Sequence, residues 1–188
     1  HYPADIVPGV TGMSGCWSSV GAPIAQGDDV FVVLPATLPE QTRTSVVHGD
    51  FRIDNAIFDR NSPKCLAVLD REVSTIGDPL ADFSYVAMAW VTENGGRSGV
   101  KDIDRKELGI PELEEVVERY CAATGRDSIP DLNWYLAYNF FRLAGIMQGI
   151  KKRVIDGTAS SAHAKAMSAR VDPLAQRAWS FAEKAGAR

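Results

Sequence analysis

A dense group of ionisable and amide side chains lies between residues 48 and 82 of this sequence. Asp50 stands five residues before Asn55, and two short strand-like runs then bring the chain back to Asp70. Carboxylate and amide oxygens are ligands that Mg²⁺ accepts, and a carboxylate can also take the proton of an attacking hydroxyl group. Such a set is suited to phosphoryl transfer from ATP.

The spacing within this group matches the catalytic loop of protein kinases. That loop has the pattern H-R-D-x-x-x-x-N, and a magnesium-binding Asp follows it on the next hairpin. Here His48, Gly49 and Asp50 are followed by four residues and then by Asn55. The pattern therefore predicts a catalytic loop, although Asp and Asn are also common turn and cap residues.

Two residues of the loop have alternative interpretations. Arg52 stands where a cation could offset charge on the transferring phosphoryl group, but it could equally pair with Asp54 or Asp70. We interpret His48 as structural support, because a lone histidine is more often a hydrogen-bonding residue that shapes a loop than a base.

Short strands and a helix must position these residues. The runs at residues 56–58 and 65–69 have strand character, and the turn residues at 59–63 between them predict a β-hairpin. Asp78 followed by Pro79 predicts the start of a helix. Before residue 45 the only strand-like run is at 30–34, within a segment rich in glycine.

Further helices are predicted after the hairpin. Pro111 opens one that Gly125 stops, and a long helix is expected from about residue 132 to 155. The alanine-rich tail from Ser160 is expected to be helical, with a break or restart at Asp172 and Pro173. The predicted fold class is α+β and mostly helical.

The composition is that of a globular protein. The chain has 188 residues, 45% of them hydrophobic, and a formal net charge of -4. A mildly acidic chain has no general attraction for nucleic acid or anionic lipid, so neither is expected as a partner. The apolar stretch at 132–150 includes Arg142 and is interpreted as a core helix. Cys16, Cys65 and Cys121 are far apart and odd in number, which favours a reducing cytoplasm.

Three blocks of the sequence closely resemble a known family, the aminoglycoside phosphotransferases, also called the phosphotransferase enzyme family. The first two blocks read VVHGDFRIDNAIFD and CLAVLDREVSTIGDPLADFSYVAMAW, and the third begins LGIPELEEVVERYCAATG. The similarity is greatest to the branch related to the kinase-like domain fused to acyl-CoA dehydrogenases in animals. It covers roughly residues 38–188 and implies the C-terminal lobe of a protein-kinase-like fold.

The resemblance implies a role for each matching residue. Asp50 would be the catalytic base, and Asn55 and Asp70 would be the ligands of Mg²⁺. Asp82 would brace the catalytic loop from the following helix. The implied cofactors are Mg²⁺ and ATP, and the implied partner is a small molecule with a hydroxyl group, either an aminoglycoside, a hydroxyacyl-CoA or another metabolite.

The sequence also departs from the family pattern. Relatives usually carry Trp after the metal-binding Asp, where this chain has Arg71. Residues 1–37 form a Gly-rich segment of unclear fold, and no lysine precedes Lys64, so the N-terminal lobe with its ATP-phosphate lysine is expected to be missing. The glycines at 9, 12 and 15 could form a phosphate-binding loop, but no lysine follows them, and a Gly-rich terminus is the preferred interpretation.

Two alternative functions remain open. In one, the chain is a truncated or degenerate lobe that binds metal or a partner and transfers nothing, and its exposed apolar surface should make it form a homodimer or exchange elements with a second copy. In the other, the same carboxylates serve a metal-dependent hydrolase that needs no ATP. A requirement for nucleotide would separate the hydrolase from the phosphotransferase.

Overall fold

Four short strands precede the helices in the part of the chain that the structure describes. The computed structural model describes residues 39–95, 99–159 and 163–187. The strands are β1 (Ser45–Val47), β2 (Ala56–Phe58), β3 (Cys65–Val68) and β4 (Thr75–Gly77). The segment at 1–37, with its strand-like run at 30–34 and its candidate phosphate-binding loop, lies outside the described residues.

The strands form two antiparallel pairs. Strands β2 and β3 pair as the hairpin that the sequence predicts. Strand β1 pairs with β4, with Ser45 opposite Gly77 and Val47 opposite Thr75. This second pair closes the ends of the segment between Val47 and Thr75, so the loop and the hairpin that carry Asp50, Asn55 and Asp70 form one unit.

The helices lie close to where the sequence predicts them. They are α1 (Leu80–Val91), α2 (Leu113–Thr124), α3 (Leu132–Ile155), α4 (Ala164–Ser168) and α5 (Val171–Lys184). The predicted restart at Asp172 and Pro173 is confirmed to within one residue, because one helix ends at Ser168 and the next begins at Val171. Pro173 fits in the first turn of α5, where its missing N–H would have no partner within the helix. None of the described helices is both long and apolar enough to cross a membrane.

Helix α3 forms the centre of the core. Its residues Leu136, Ala137 and Phe140 are at most 2% exposed, and the ring of Phe140 stacks on Phe181 of α5 with centroids 5.6 Å apart. The amide of Asn139, fully buried, donates to the hydroxyl of Ser84 in α1 at 2.8 Å. A polar contact inside an apolar core fixes the relative position of two helices, so α1 is tied to α3 at one register.

The start of α1 is held by a second contact with α3. One carboxylate oxygen of Asp78 accepts the backbone N–H of Leu80 at 2.9 Å, and the other accepts the hydroxyl of Tyr135 at 2.6 Å. Burial and the neighbouring Asp78 carboxylate both raise the pKa of Tyr135, so the hydroxyl stays a hydrogen-bond donor. Asp78 is thus a helix-start residue whose carboxylate is occupied by the fold.

A pair of glycine substitutions should change stability in opposite directions. Gly125 ends α2 with a φ of 62°, where a side chain is strained, whereas a Cβ on Gly145 in the middle of α3 would meet nothing within 4 Å. We expect Gly125→Ala to lower the free energy of unfolding by about 1 kcal/mol. Gly145→Ala should raise it by about 0.5–1 kcal/mol, since alanine is the better helix former.

Urea unfolding followed by circular dichroism measures both changes. Two variants that shift the midpoint in the same direction would contradict this account of the two glycines.

Candidate active site

The loop from His48 to Asn55 is organised around the imidazole of His48. The ring nitrogen Nδ1 accepts the backbone N–H of Asp50 at 3.2 Å, and Nε2 lies 2.7 Å from the carbonyl oxygen of Leu69. A ring with its proton on Nε2 satisfies both contacts. The side chain is 8% exposed, and these are the contacts of a residue that shapes a loop.

Asp82 holds the same loop from the first turn of α1. Its two carboxylate oxygens accept the backbone N–H groups of His48 at 2.6 Å and of Gly49 at 2.9 Å. Gly49 has a φ of 84°, and a Cβ there would lie 2.7 Å from the carbonyl oxygen of Val73. Only glycine can therefore present its N–H to Asp82 in this turn.

Asn55 connects the two ends of the loop. Its side-chain N–H₂ group donates to the backbone carbonyl of Asp50 at 2.9 Å and lies 3.4 Å from the Asp50 carboxylate. Asn55 is buried at the end of a 3-10 turn, Ile53–Asn55. Because the amide nitrogen is used within the loop, the amide oxygen is the ligand atom that this residue can offer to a cation.

Asp70 is brought beside the loop by the residue before it. Leu69 donates its N–H to the backbone carbonyl of Asn55 at 2.8 Å and receives the His48 ring on its own carbonyl. Asp70 itself is exposed and has a φ of 63°, the only positive φ of a non-glycine residue in the described ranges. Aspartate tolerates this conformation at some cost in energy, and such strain is concentrated at functional sites.

Arg52 pairs with Asp54 rather than with Asp70. Its guanidinium group donates to the Asp54 carboxylate, and within the described part of the chain its buried Nε has no hydrogen-bond partner. Partial burial lowers the pKa of Arg52, but the carboxylates of Asp50 and Asp54 outweigh this effect, so the pKa lies above its usual value. The guanidinium therefore remains a cation close to Asp50.

Two residues of the site were not found from the sequence. Tyr85 lies one turn after Asp82 on α1, and it is near enough to Asp50 for that carboxylate to raise its pKa. Arg142 of α3 donates to the carbonyl of Gly49 and lies over the Tyr85 ring, 5.2 Å from its centroid. The available signal was the spacing of three residues from Asp82, which puts Tyr85 on the same face of the helix.

Three charged side chains act on the pKa of Tyr85. Burial and the Asp50 carboxylate raise the pKa of Tyr85 to about 12, while Arg142 and Arg52 oppose the shift. The Tyr85 hydroxyl therefore keeps its proton. The Tyr85 hydroxyl thus lies near the carboxylate of Asp50, which the sequence identifies as the catalytic base, and near two guanidinium groups.

The donor set near the loop fits a magnesium ion that also binds a nucleotide. Asn55 offers an amide oxygen and Asp70 an exposed carboxylate, and Mg²⁺ commonly binds one or two protein carboxylates together with phosphate oxygens. Among the described residues, no three His, Cys, Asp or Glu side chains come together as a self-sufficient metal site. The residues present therefore suit an ion delivered with phosphates better than a permanently bound structural metal.

A loop with the spacing of a kinase catalytic loop, a hairpin that returns an aspartate beside it and a following helical core are typical of kinase-like phosphotransferases, and the fold class is α+β as predicted. The chain belongs to the phosphotransferase enzyme family, whose family model matches residues 17–135. The match begins nearer the N-terminus than residue 38, where the resemblance of the motifs starts. Family and fold are thereby confirmed.

Known relatives agree with this assignment and with the predicted branch. Acyl-CoA dehydrogenase family member 10 of mouse is 45% identical over 157 residues, which cover 82% of this chain and 15% of that protein. Acyl-CoA dehydrogenase family member 11 of human is 35% identical over 145 residues, covering 76% of this chain and 19% of that protein. The chain thus spans less than a fifth of either relative.

A solved structure shares the fold. The crystal structure of a candidate aminoglycoside phosphotransferase from Ralstonia eutropha matches with a TM-score of 0.76 and 39% sequence identity. The match covers 95% of this chain and 51% of the Ralstonia chain. This chain therefore corresponds to about half of a solved phosphotransferase.

Proposed function

We propose that this chain transfers the γ-phosphoryl group of ATP to a hydroxyl group of a small molecule. The observation that carries the proposal is the convergence of Asp50, Asn55 and Asp70 through the backbone contacts of Leu69 and His48. Membership of the phosphotransferase enzyme family supports the same class of reaction.

In the proposed reaction Asp50 acts as the base. The acceptor oxygen forms a bond to the γ-phosphorus, the bond to the bridging oxygen of ADP breaks, and the hydroxyl proton passes to the Asp50 carboxylate. The cationic Arg52 beside Asp50 offsets negative charge on the phosphoryl group. Asn55 and Asp70 would hold Mg²⁺, which when bound neutralises phosphate charge and orients the nucleotide.

The acceptor is the least determined part of the proposal. The Ralstonia protein's name indicates an aminoglycoside, whereas the relatives are named as acyl-CoA dehydrogenase family members, and a hydroxyacyl-CoA is the acyl-CoA compound with a hydroxyl group that we propose as the second candidate. An acceptor screen should therefore contain both compounds, with formation of ADP as the common readout. The cytoplasmic location stays a prediction.

Asp70→Asn should weaken Mg-ATP binding by at least about tenfold, because an amide replaces the charged ligand. Asn tolerates a positive φ as Asp does, so the loop should keep its shape. Asp70→Gly should lose binding equally but relieve the strained φ of 63°. It should therefore raise the free energy of unfolding by about 1 kcal/mol.

Calorimetric titration of Mg-ATP into the three proteins tests this proposal. Binding that requires Mg²⁺ in the wild type and is lost in both variants is the expected result. Wild-type affinity in Asp70→Asn would remove Asp70 from the metal site, and no binding by the wild type at millimolar ATP would overturn the proposed function. In that case the chain would be the inactive alternative, and sedimentation velocity would test the homodimer expected for it.

A further inference from the structure

A guanidinium group from the helical core contacts the peptide group that precedes Asp50. The side chain of Arg142 in α3 donates a hydrogen bond to the backbone carbonyl of Gly49, 93 residues away in the sequence. We infer that Arg142 is a positioning residue for the phosphoryl transfer, because it fixes the peptide group between Gly49 and Asp50. The inference rests on the proposed function, in which Asp50 is the base.

The peptide group between Gly49 and Asp50 is held at both of its polar atoms. It is trans, so its carbonyl oxygen and its N–H point in opposite directions. The carbonyl of Gly49 accepts from Arg142, and the N–H of Asp50 donates to Nδ1 of His48 at 3.2 Å. A peptide group held on both sides cannot rotate without losing one of these contacts.

The peptide group that follows Asp50 is held as well. Its carbonyl oxygen accepts a hydrogen bond from the side-chain amide of Asn55 at 2.9 Å. The backbone is thus fixed on both sides of the Asp50 α-carbon, and the direction of the Cα–Cβ bond is fixed with it. This bond sets the region from which the carboxylate reaches the acceptor hydroxyl.

Arg142 differs from the other two residues in the element that carries it. His48 and Asn55 belong to the loop itself, so their contacts move with the loop. Helix α3, in contrast, is tied to α1 in the core, where the amide of Asn139 donates to the hydroxyl of Ser84 at 2.8 Å. The contact of Arg142 therefore places the loop relative to the helical core.

Gly49 is contacted from both of these helices. Its N–H donates to Asp82 of α1 at 2.9 Å, and its carbonyl accepts from Arg142 of α3. The Arg142 guanidinium also lies over the ring of Tyr85 in α1, 5.2 Å from its centroid, within the range of a cation–π contact. A planar guanidinium can direct an N–H at the carbonyl while its face lies on the ring, so both contacts form together.

Arg142→Met removes the hydrogen-bond donor and keeps a long unbranched side chain. We expect kcat to fall about tenfold, because the base loses one restraint on its position, while the KM for ATP stays within about twofold of the wild type. The assay measures formation of ADP from Mg-ATP with water as the acceptor, since the natural acceptor is unidentified.

Arg177→Met is the matched control, because Arg177 of α5 makes the same two kinds of contact away from the loop. Its guanidinium donates to the carbonyl of Val91 at the other end of α1 and lies over the Phe140 ring, 5.7 Å from the centroid. At temperatures where this variant is folded, kcat should stay within about twofold of the wild type. A wild-type kcat in Arg142→Met, or an equal fall of kcat in both variants, would overturn the inference.

A double substitution tests whether Arg142 acts through Asp50. In the Asp50→Asn background, Arg142→Met should change the remaining turnover by less than about twofold, because no base is left to position. A full tenfold loss in that background is the outcome that contradicts a positioning role, since Arg142 would then act on another part of the reaction.

Isotope labelling follows the peptide group without requiring activity. Glycine labelled with ¹³C at its carbonyl and aspartate labelled with ¹⁵N, both introduced by cell-free synthesis, give an NMR signal only where Asp follows Gly. The chain has three such pairs, at residues 27–28, 49–50 and 77–78. Asp50→Asn identifies the signal of the 49–50 pair, because asparagine carries no label.

Arg142→Met should move the signal of the 49–50 pair, because the Gly49 carbonyl loses a charged donor, and should leave that of the 77–78 pair in place. Arg177→Met should leave both signals in place. An unmoved signal of the 49–50 pair in Arg142→Met would overturn the inference. If the wild type forms no ADP, the proposed function fails, and a moved signal still shows that Arg142 holds the peptide group.

Discussion

Asp50→Asn is expected to lower kcat for phosphoryl transfer by about 10²–10⁴-fold, the usual contribution of a general base. Asparagine has nearly the same shape, and its side-chain oxygen can still accept the hydrogen bond from Asn55. The loop should therefore keep its fold and its affinity for Mg-ATP. What the variant lacks is a group that can take the proton of the acceptor hydroxyl.

The rate of ADP formation under saturating Mg-ATP measures this loss. Asp59→Asn is the matched control, because Asp59 lies in the turn of the hairpin and accepts hydrogen bonds from Asn61 and Ser62 that an amide oxygen can also accept. The control should keep kcat within twofold. If Asp50→Asn also stays within threefold of the wild type, Asp50 is not the base.

Local patterns predict most of the elements correctly. Gly125 ends α2 in the left-handed conformation that the sequence suggests, and α3 runs over the residues that its apolar pattern indicates. The hairpin of β2 and β3 follows from its turn composition. These features depend on residues close together in the chain, which is why the sequence alone reveals them.

Strand β4 is not predictable in the same way. It has three residues, and its large apolar side chain, Ile76, is 59% exposed, so neither length nor alternation marks it. Its structure comes from pairing with β1, some thirty residues earlier in the chain. Asp70 is similar, because it adopts its positive φ directly after Leu69, whose backbone contacts are with residues of the loop that lie 14 and 21 positions earlier.

The sequence predicts the motif residues of the candidate site but not the residues that contact the loop from the helices. Asp50 and Asn55 lie in one short loop, so their spacing carries the information. Tyr85 and Arg142 reach that loop from two helices, and Arg142 is distant from it in sequence by 93 residues. From the sequence alone, Arg142 serves only as an argument against a membrane-spanning helix. Its contact with Gly49 becomes visible only when α3 packs on α1.

Asp82→Asn should destabilise the chain as well as lower its activity. The Asp82 carboxylate accepts two backbone N–H groups, and an amide can accept only one and turns its own N–H₂ toward the other. Leaving a partly buried backbone N–H without an acceptor costs about 1–3 kcal/mol. The free energy of unfolding should therefore fall by about 1–3 kcal/mol, a large part of the stability of a typical domain.

The position of the loop should change in the same variant, because His48 and Gly49 lose the anchor that fixes the start of the catalytic segment. We expect kcat to fall about 10²-fold, even at temperatures where the variant is fully folded. Asp172→Asn makes the same chemical change in the first turn of α5, at an exposed residue, and should alter the free energy of unfolding by no more than about 0.5 kcal/mol. Urea unfolding and ADP formation measured on both variants separate the two effects. Equal unfolding midpoints for Asp82→Asn and the wild type would mean that the loop holds its shape without the carboxylate of α1.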